Sequence, residues 1–253
     1  MNLLKKFNSL VGRLEDKGIL KRTPGFIHDY EKTYPYFKTL EDNASIIKSE
    51  CLQLLSVQEK NLPHIEDLGD KRTKGGIHSI EWKTFFFKSD HFIDSNCKYC
   101  PETAKLLRNI PRIKQAFFSV LEGNQHIKPH KGYFCGFLRY HLGVIIPNNN
   151  EDKKCWIRIN DNKTDNQNYE KSRMEYGETY YWKEGVGIMF NDLYLHEAAN
   201  ETDQVRVVLF IDVIRRFPWH LDWLMRLLVF IGYQFKGAKQ VAKNAEIKPL
   251  VES

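Results

Sequence analysis

The sequence predicts a mainly β protein, a sandwich or barrel, flanked by helices at both ends. Three observations lead there. Short β-like runs alternate with turn signals between residues 81 and 213. Aromatic residues make up 13% of the chain, and β-rich cores favour them. Towards both termini the apolar residues recur at helical spacing instead. A length of 253 residues fits one domain or two small ones and buries a core without disulfide staples. Hydrophobic content of 42% and charge of 28% exclude a collagen, a coiled-coil rod and a wholly disordered chain.

At the N-terminus Leu3, Leu4, Phe7, Leu10, Val11 and Leu14 keep helical spacing, with Lys5, Lys6 and Arg13 on other faces. A helix packed on the domain is favoured over one on a membrane surface. The start lacks a continuous apolar stretch and a small-residue cleavage site, so no signal peptide is expected. Ile46, Ile47, Cys51, Leu54 and Leu55 form a second helical stripe, and residues 1–76 read as a helical region packed on the core. Residues 70–76, charged and glycine-rich, read as a loop.

The β domain is expected over residues 77–215. Its strands are predicted at 81–88, 116–121, 136–146, 155–159, 179–182, 187–190 and 205–213, with a helix at 101–109 opened by Pro101. Residues 148–172 are rich in Asn, Asp and Lys and predict a long exposed loop. Residues 216–253 form an amphipathic helical segment. Its apolar run at 217–235 is interrupted by Asp222 and Arg226. A membrane span needs about 20 mostly apolar residues, so none is expected. Trp219, Trp223 and Phe230, followed by basic residues, suit a helix in a membrane interface. They suit packing on the β domain or on a partner equally well.

The balance of 38 Lys+Arg against 32 Asp+Glu gives a net charge of +6. That permits contact with anionic lipid without demanding it. No nucleic-acid-binding motif is present, so no nucleic acid partner is expected. The five cysteines, Cys51, Cys97, Cys100, Cys135 and Cys155, are an odd, sparse set. They suit a reducing, cytoplasmic compartment, with peripheral membrane contact through the C-terminal segment left open. Cys97 and Cys100 have metal-ligand spacing but no second pair to complete four ligands.

Two histidines stand out by context, His130 in IKPHKG and His196 in FNDLYLHE. Neutral imidazole is the commonest protein ligand for divalent transition metals, but only a folded β-structure could unite residues so far apart. Arg139 and His141 alternate with Leu138, Tyr140 and Leu142, so period two sends both to one face. Arg206 interrupts the apolar run VRVVLFIDV. Burying an unpaired guanidinium is expensive, so Arg206 requires a carboxylate from the protein or from a ligand.

The run HKGYFCGFLRYHLG at 130–143 followed by VIIP, with WKEG at 182–185, FND at 190–192, HE at 196–197 and RVVLFIDV at 206–213, resembles the aspartyl/asparaginyl β-hydroxylase family. The match runs from Trp82 to Val213. The resemblance implies a double-stranded β-helix, a cupin-like jelly roll, and a dioxygenase using iron(II) with 2-oxoglutarate and O2 as cosubstrates. It implies that His130 and His196 bind iron and that Arg206 grips the distal carboxylate of 2-oxoglutarate. Arg139 and His141 match residues near the other carboxylate, and Ser119 and Trp82 match further pocket residues. Gly132 stands where most such oxygenases have a ligating carboxylate. Many members of this branch also have glycine there and leave the position to water. Gly132 counts against the related lipid A hydroxylases, and the basic, aromatic C-terminal segment counts for them.

The expected reaction is hydroxylation of a C–H bond, foremost the β-carbon of an Asp/Asn residue or a related amino acid derivative. The alternatives are a lipid A acyl-chain hydroxylase at a membrane surface and a non-enzymatic 2-oxoglutarate-binding module. The sequence shows no tetratricopeptide-like region or luminal anchor, and its loop at 148–178 is longer than typical. The first two count against the substrate of the secretory-pathway enzymes, growth-factor-like domains, and the third against the typical shape of the substrate cleft.

Overall fold

The computed structural model describes residues 2–68, 80–233 and 236–247. The expected loop at 70–76, and with it the boundary between the first two regions, lies outside the described residues. In chain order the elements are α1 (Asn2–Asp16), β1 (Phe26–Ile27), α2 (Lys38–Asp42), α3 (Ala44–Gln58), β2 (Trp82–Ser89) and β3 (His91–Phe92). Then come α4 (Asp94–Cys97), α5 (Pro101–Arg108), β4 (Ile113–Leu121), β5 (Gln125–His130), β6 (Phe137–Ile145), β7 (Cys155–Asn160) and α6 (Lys163–Asn168). The chain continues with β8 (Glu178–Tyr181), β9 (Gly187–Phe190), β10 (Leu195–Asn200), β11 (Arg206–Ile214), α7 (Trp219–Tyr233) and α8 (Lys236–Asn244).

The strands form a seven-stranded sheet, β1-β9-β6-β11-β4-β2-β3, and a four-stranded sheet, β5-β10-β7-β8. From β4 to β11 the chain winds between them, so that β4, β6, β9 and β11 fall in the large sheet and β5, β7, β8 and β10 in the small one. Every strand pairing is antiparallel. This is the double-stranded β-helix of a jelly roll.

Strand β11 explains why the sheets stack as they do. All nine of its residues are buried. Period two splits them between two cores. Val207, Leu209, Ile211 and Val213 join Cys51 and Leu54 of α3 and Leu107 of α5 in the helix-side core. Val208 packs with Ile127, Ile157 and Ile159 of the small sheet. A strand covered on both faces must be apolar almost throughout, so Arg206 and Asp212 need a separate explanation.

The polar segment at 148–172 departs in part from the exposed loop expected of it. Besides β7, which matches the strand expected at 155–159, it contributes α6, and Asp165 and Asn166 are buried. Asn166 accepts a hydrogen bond from the Leu195 backbone at 2.8 Å, and its Nδ2 donates to the Asn160 carbonyl at 2.6 Å. Its polarity therefore satisfies backbone groups at the strand ends. Helix α7 packs Leu221, Met225, Leu228 and Val229 into one cluster with Phe7 and Val11 of α1. Asp222, which interrupts the apolar run, pairs with Arg112 at 2.5 Å. Among the described residues no helix is long and apolar enough to cross a membrane.

A close crossing at Gly143 locks the 182–186 turn onto β6. A Cβ there would meet the Lys183 carbonyl oxygen at 2.1 Å. Gly143→Ala should cost about 1–3 kcal/mol by overpacking. A fall in the urea midpoint, at unchanged slope, measures it; an unchanged midpoint would show that the turn yields.

Candidate active site

The two histidines meet at the end of the small sheet. Strands β5 and β10 pair so that His130 stands directly opposite His196, beside an irregularity between His196 and Ala198. Their ring centroids are 4.1 Å apart. Each ring is oriented by its own strand. His130 Nδ1 donates to the Lys128 carbonyl at 2.8 Å, and His196 Nδ1 donates to the Tyr194 carbonyl at 2.8 Å. A carbonyl only accepts, so the proton sits on Nδ1 and the Nε2 lone pair is free in both rings. Burial pushes the His130 pKa down and the His196 pKa well below its ordinary value, with His130 and Arg139 adding to the second shift. Both rings are therefore held neutral, the form that ligates a metal.

The large sheet supplies the facing wall. Along β11 the residues Arg206, Val208, Phe210 and Asp212 share one face. Their partners in register are Leu121, Ser119, His141 and Arg139. Four predicted residues thus line up across three strands, with Trp82 of β2 opposite Leu121. Trp82 Nε1 donates to Ser119 Oγ at 2.9 Å, which leaves the serine O–H to donate elsewhere.

Arg206 and Arg139 lie on this one face with opposite electrostatics. Arg206 is 2% exposed, and its Nε has no hydrogen-bond partner. Among the described residues no carboxylate pairs with it; its guanidinium lies 4.7 Å from the centroid of the Trp182 ring. Burial lowers its pKa to about 10, so it remains a cation at neutral pH. Arg139, by contrast, bonds Asp192 at 2.9 Å and Asp212 at 2.9 Å. Among the described residues Arg206 therefore has no protein carboxylate, while Arg139 has two. Both ring nitrogens of His141 and Nε1 of Trp182 are also buried without partners. The space between the sheets concentrates a cation and unsatisfied nitrogens, which suits a carboxylate-bearing ligand.

Asp192 is the site residue that the sequence reading passed over, although it lies inside the quoted FND motif. Its backbone carbonyl accepts from Gly132 N at 2.7 Å. A Cβ at position 132 would fall 2.5 Å from its Oδ2. The Asp192 carboxylate thus fills the space where a side chain two residues after His130 would begin. Burial raises its pKa to about 6, with Arg139 opposing and Asp212 reinforcing the shift. Two neutral Nε2 donors with a carboxylate nearby fit a divalent transition metal bound by few protein ligands. Among the described residues no group of three His, Cys, Asp or Glu could hold a metal together.

The fold is a jelly roll, and its site brings two neutral histidines together with a buried cation. Residues 41–216 match the family described as aspartyl/asparaginyl beta-hydroxylase, and the chain belongs to that family. The family and the curated relatives it matches are hydroxylases. It is similar to an ornithine lipid ester-linked acyl 2-hydroxylase of Rhizobium tropici, 34% identical over 81% of this chain and 68% of that protein. It is also similar to the human aspartyl/asparaginyl beta-hydroxylase, 29% identical over 72% of this chain and 21% of that protein, so it spans about a fifth of that relative's length. A solved Pseudomonas putida prolyl-4-hydroxylase is 10% identical over 71% of this chain and 99% of that chain, with a TM-score of 0.41.

The unpaired guanidinium makes a prediction independent of activity. Arg206→Met removes a buried cation with nothing to bind it. The ligand-free variant should be as stable as the parent or gain about 1–3 kcal/mol. Chemical denaturation checks this, and a clear loss of stability would mean that the protein itself satisfies Arg206.

Proposed function

We propose that this chain uses iron(II) and 2-oxoglutarate to hydroxylate an acyl chain of an amphiphilic lipid. The observation that carries the cosubstrate assignment is Arg206, a buried cation with no counter-ion among the described residues. The substrate class is supported by the acyl 2-hydroxylase relative, whose match takes in 81% of this chain. The aspartate or asparagine β-carbon, foremost at the sequence level, is the second reading. The human β-hydroxylase match and Gly132 favour it.

In this reading His130 and His196 present their Nε2 atoms to iron(II). Arg206 offers its N–H fork, and Ser119 its O–H, to the distal carboxylate of 2-oxoglutarate. The ring nitrogens of His141 and Trp182, buried without partners among the described residues, would serve the same ligand. Phe190, Phe210 and Ile188 wall that space against water. Bound iron(II) supplies the redox chemistry by which 2-oxoglutarate, O2 and R–H become succinate, CO2 and R–OH. The chain's own contribution is to hold two neutral rings, place the dicarboxylate and keep the cleft dry.

Two measurements test the assignment. His130→Ala and His196→Ala should each lower iron affinity at least as much as the about 10–100-fold typical of outer-shell changes, with the circular dichroism unchanged. Arg206→Met should retain iron but lose about 2–5 kcal/mol of 2-oxoglutarate binding, read as a lost thermal shift on adding the cosubstrate. Iron content unchanged in both histidine variants would remove the metal assignment. Succinate release stimulated by an asparaginyl peptide and not by an acylated amino lipid would move the substrate to the second reading.

A further inference from the structure

Helix α7 is covered along one side only. Opposite its buried residues stand Trp219, Trp223 and Phe230, exposed by 84%, 67% and 61%. Arg226 is exposed and Leu227 is 40% exposed in the same stripe, set by steps of three and four residues. Helix α1, packed on the same cluster, repeats the pattern: Phe7 and Val11 face in, while Leu3, Lys6, Leu10 and Arg13 are exposed. A contiguous apolar stripe of this kind on a soluble surface marks an interaction site.

The charges select the partner. Each acid on the two helices is already neutralised. Asp222 pairs with Arg112, Glu15 with Arg215 at 2.7 Å, and Asp16 with Lys163 at 2.6 Å. The exposed cations Lys5, Lys6, Lys17, Arg216 and Arg226 make no ion pair among the described residues. Aromatic rings beside uncompensated cations fit a layer that is apolar within and anionic at its surface. A second copy of the chain would set like charges against one another.

The surface also adjoins the site. Asn8 of α1 donates to the Tyr133 carbonyl at 2.8 Å and accepts from Cys135 N at 3.0 Å. The Phe7 ring lies 5.9 Å from Phe134. This segment follows His130 directly, and Tyr133 is 74% exposed.

We infer that the exposed face of α7, with the basic residues of α1, docks the protein on an anionic lipid bilayer, α7 lying in the interface plane beside the cleft. The purpose of this docking rests on the lipid reading of the substrate, but its test reads binding alone. The full chain is sedimented with phosphatidylcholine vesicles with and without phosphatidylglycerol. The parent should bind the anionic vesicles more strongly. Trp219→Ser with Trp223→Ser should weaken that binding by about tenfold or more through lost apolar burial. Arg226→Glu should weaken it by about fivefold or more, as expected from about 1 kcal/mol per cation near the surface. Unchanged circular dichroism and 2-oxoglutarate binding would show the variants to be folded. Arg206→Met should bind vesicles like the parent, which separates docking from the reaction. Equal partitioning of parent and tryptophan variants would overturn the inference. So would a tryptophan-dependent dimer on gel filtration with no vesicle binding.

Discussion

A buried guanidinium with no counter-ion among the described residues sets the terms for this molecule. Arg206 opens a strand whose nine residues are all buried, at the centre of the large sheet. Desolvating that cation is unfavourable, and the Trp182 ring face compensates only part of it. The arrangement persists because β11 is hydrogen-bonded on both sides, to β4 and β6, and packed on both faces. In the proposed reading, the stability of the jelly roll holds Arg206 ready, and its unmet electrostatic demand would become affinity for a carboxylate. Little reorganisation is then needed at the moment of binding.

Arg139 shows what the same strand face does when the demand is met internally. Asp212, six positions from Arg206, turns to Arg139 because the β6–β11 register puts them opposite each other. Asp192 approaches the same guanidinium from the turn before β10. That approach depends on Gly132, since any side chain there would collide with the Asp192 carboxylate. The glycine at the expected ligand position and the carboxylate beside it are therefore one structural feature. An acid near the histidines is supplied from another part of the chain, tethered by an arginine.

The legible part of the fold was the large sheet. Strands β2, β4, β6 and β11 carry runs of β-branched and aromatic residues, and their predicted limits lie within a few residues of the observed ones. In the small sheet β7 and β8 were also predicted, but β5 and β10 were not. Strand β5 reads QHIKPH and β10 reads LHEAAN. Proline, glutamate, asparagine and alanine give them weak strand propensity, and their extended state comes from mutual pairing. The two candidate metal ligands thus stand on strands that no local pattern announces. Sequence placed Arg206 in an apolar strand but left its counter-charge open between protein and ligand. Strand register decides that question, and register is a long-range property. The polar stretch at 148–172 misled for a related reason. Asn160, Asp165 and Asn166 are there to satisfy buried groups, which composition does not distinguish from solvation.

The helical ends, which read as appendages in the sequence, brace the strands that carry the site. Glu15 of α1 holds Arg215 just beyond β11, and the Tyr34 hydroxyl accepts from the Arg216 backbone. Asn8 of the same helix fixes the backbone just after His130. One helix therefore touches the exit of the strand bearing Arg206 and the exit of the strand bearing His130. Helix α7 completes the cluster beneath it. The α1–α7 cluster and these hydrogen bonds thus join the segments that leave the two strands. Neither terminal helix is therefore a mere appendage, since both pack in one cluster with Phe134, Cys135 and Ile214, which follow or end the strands of the site.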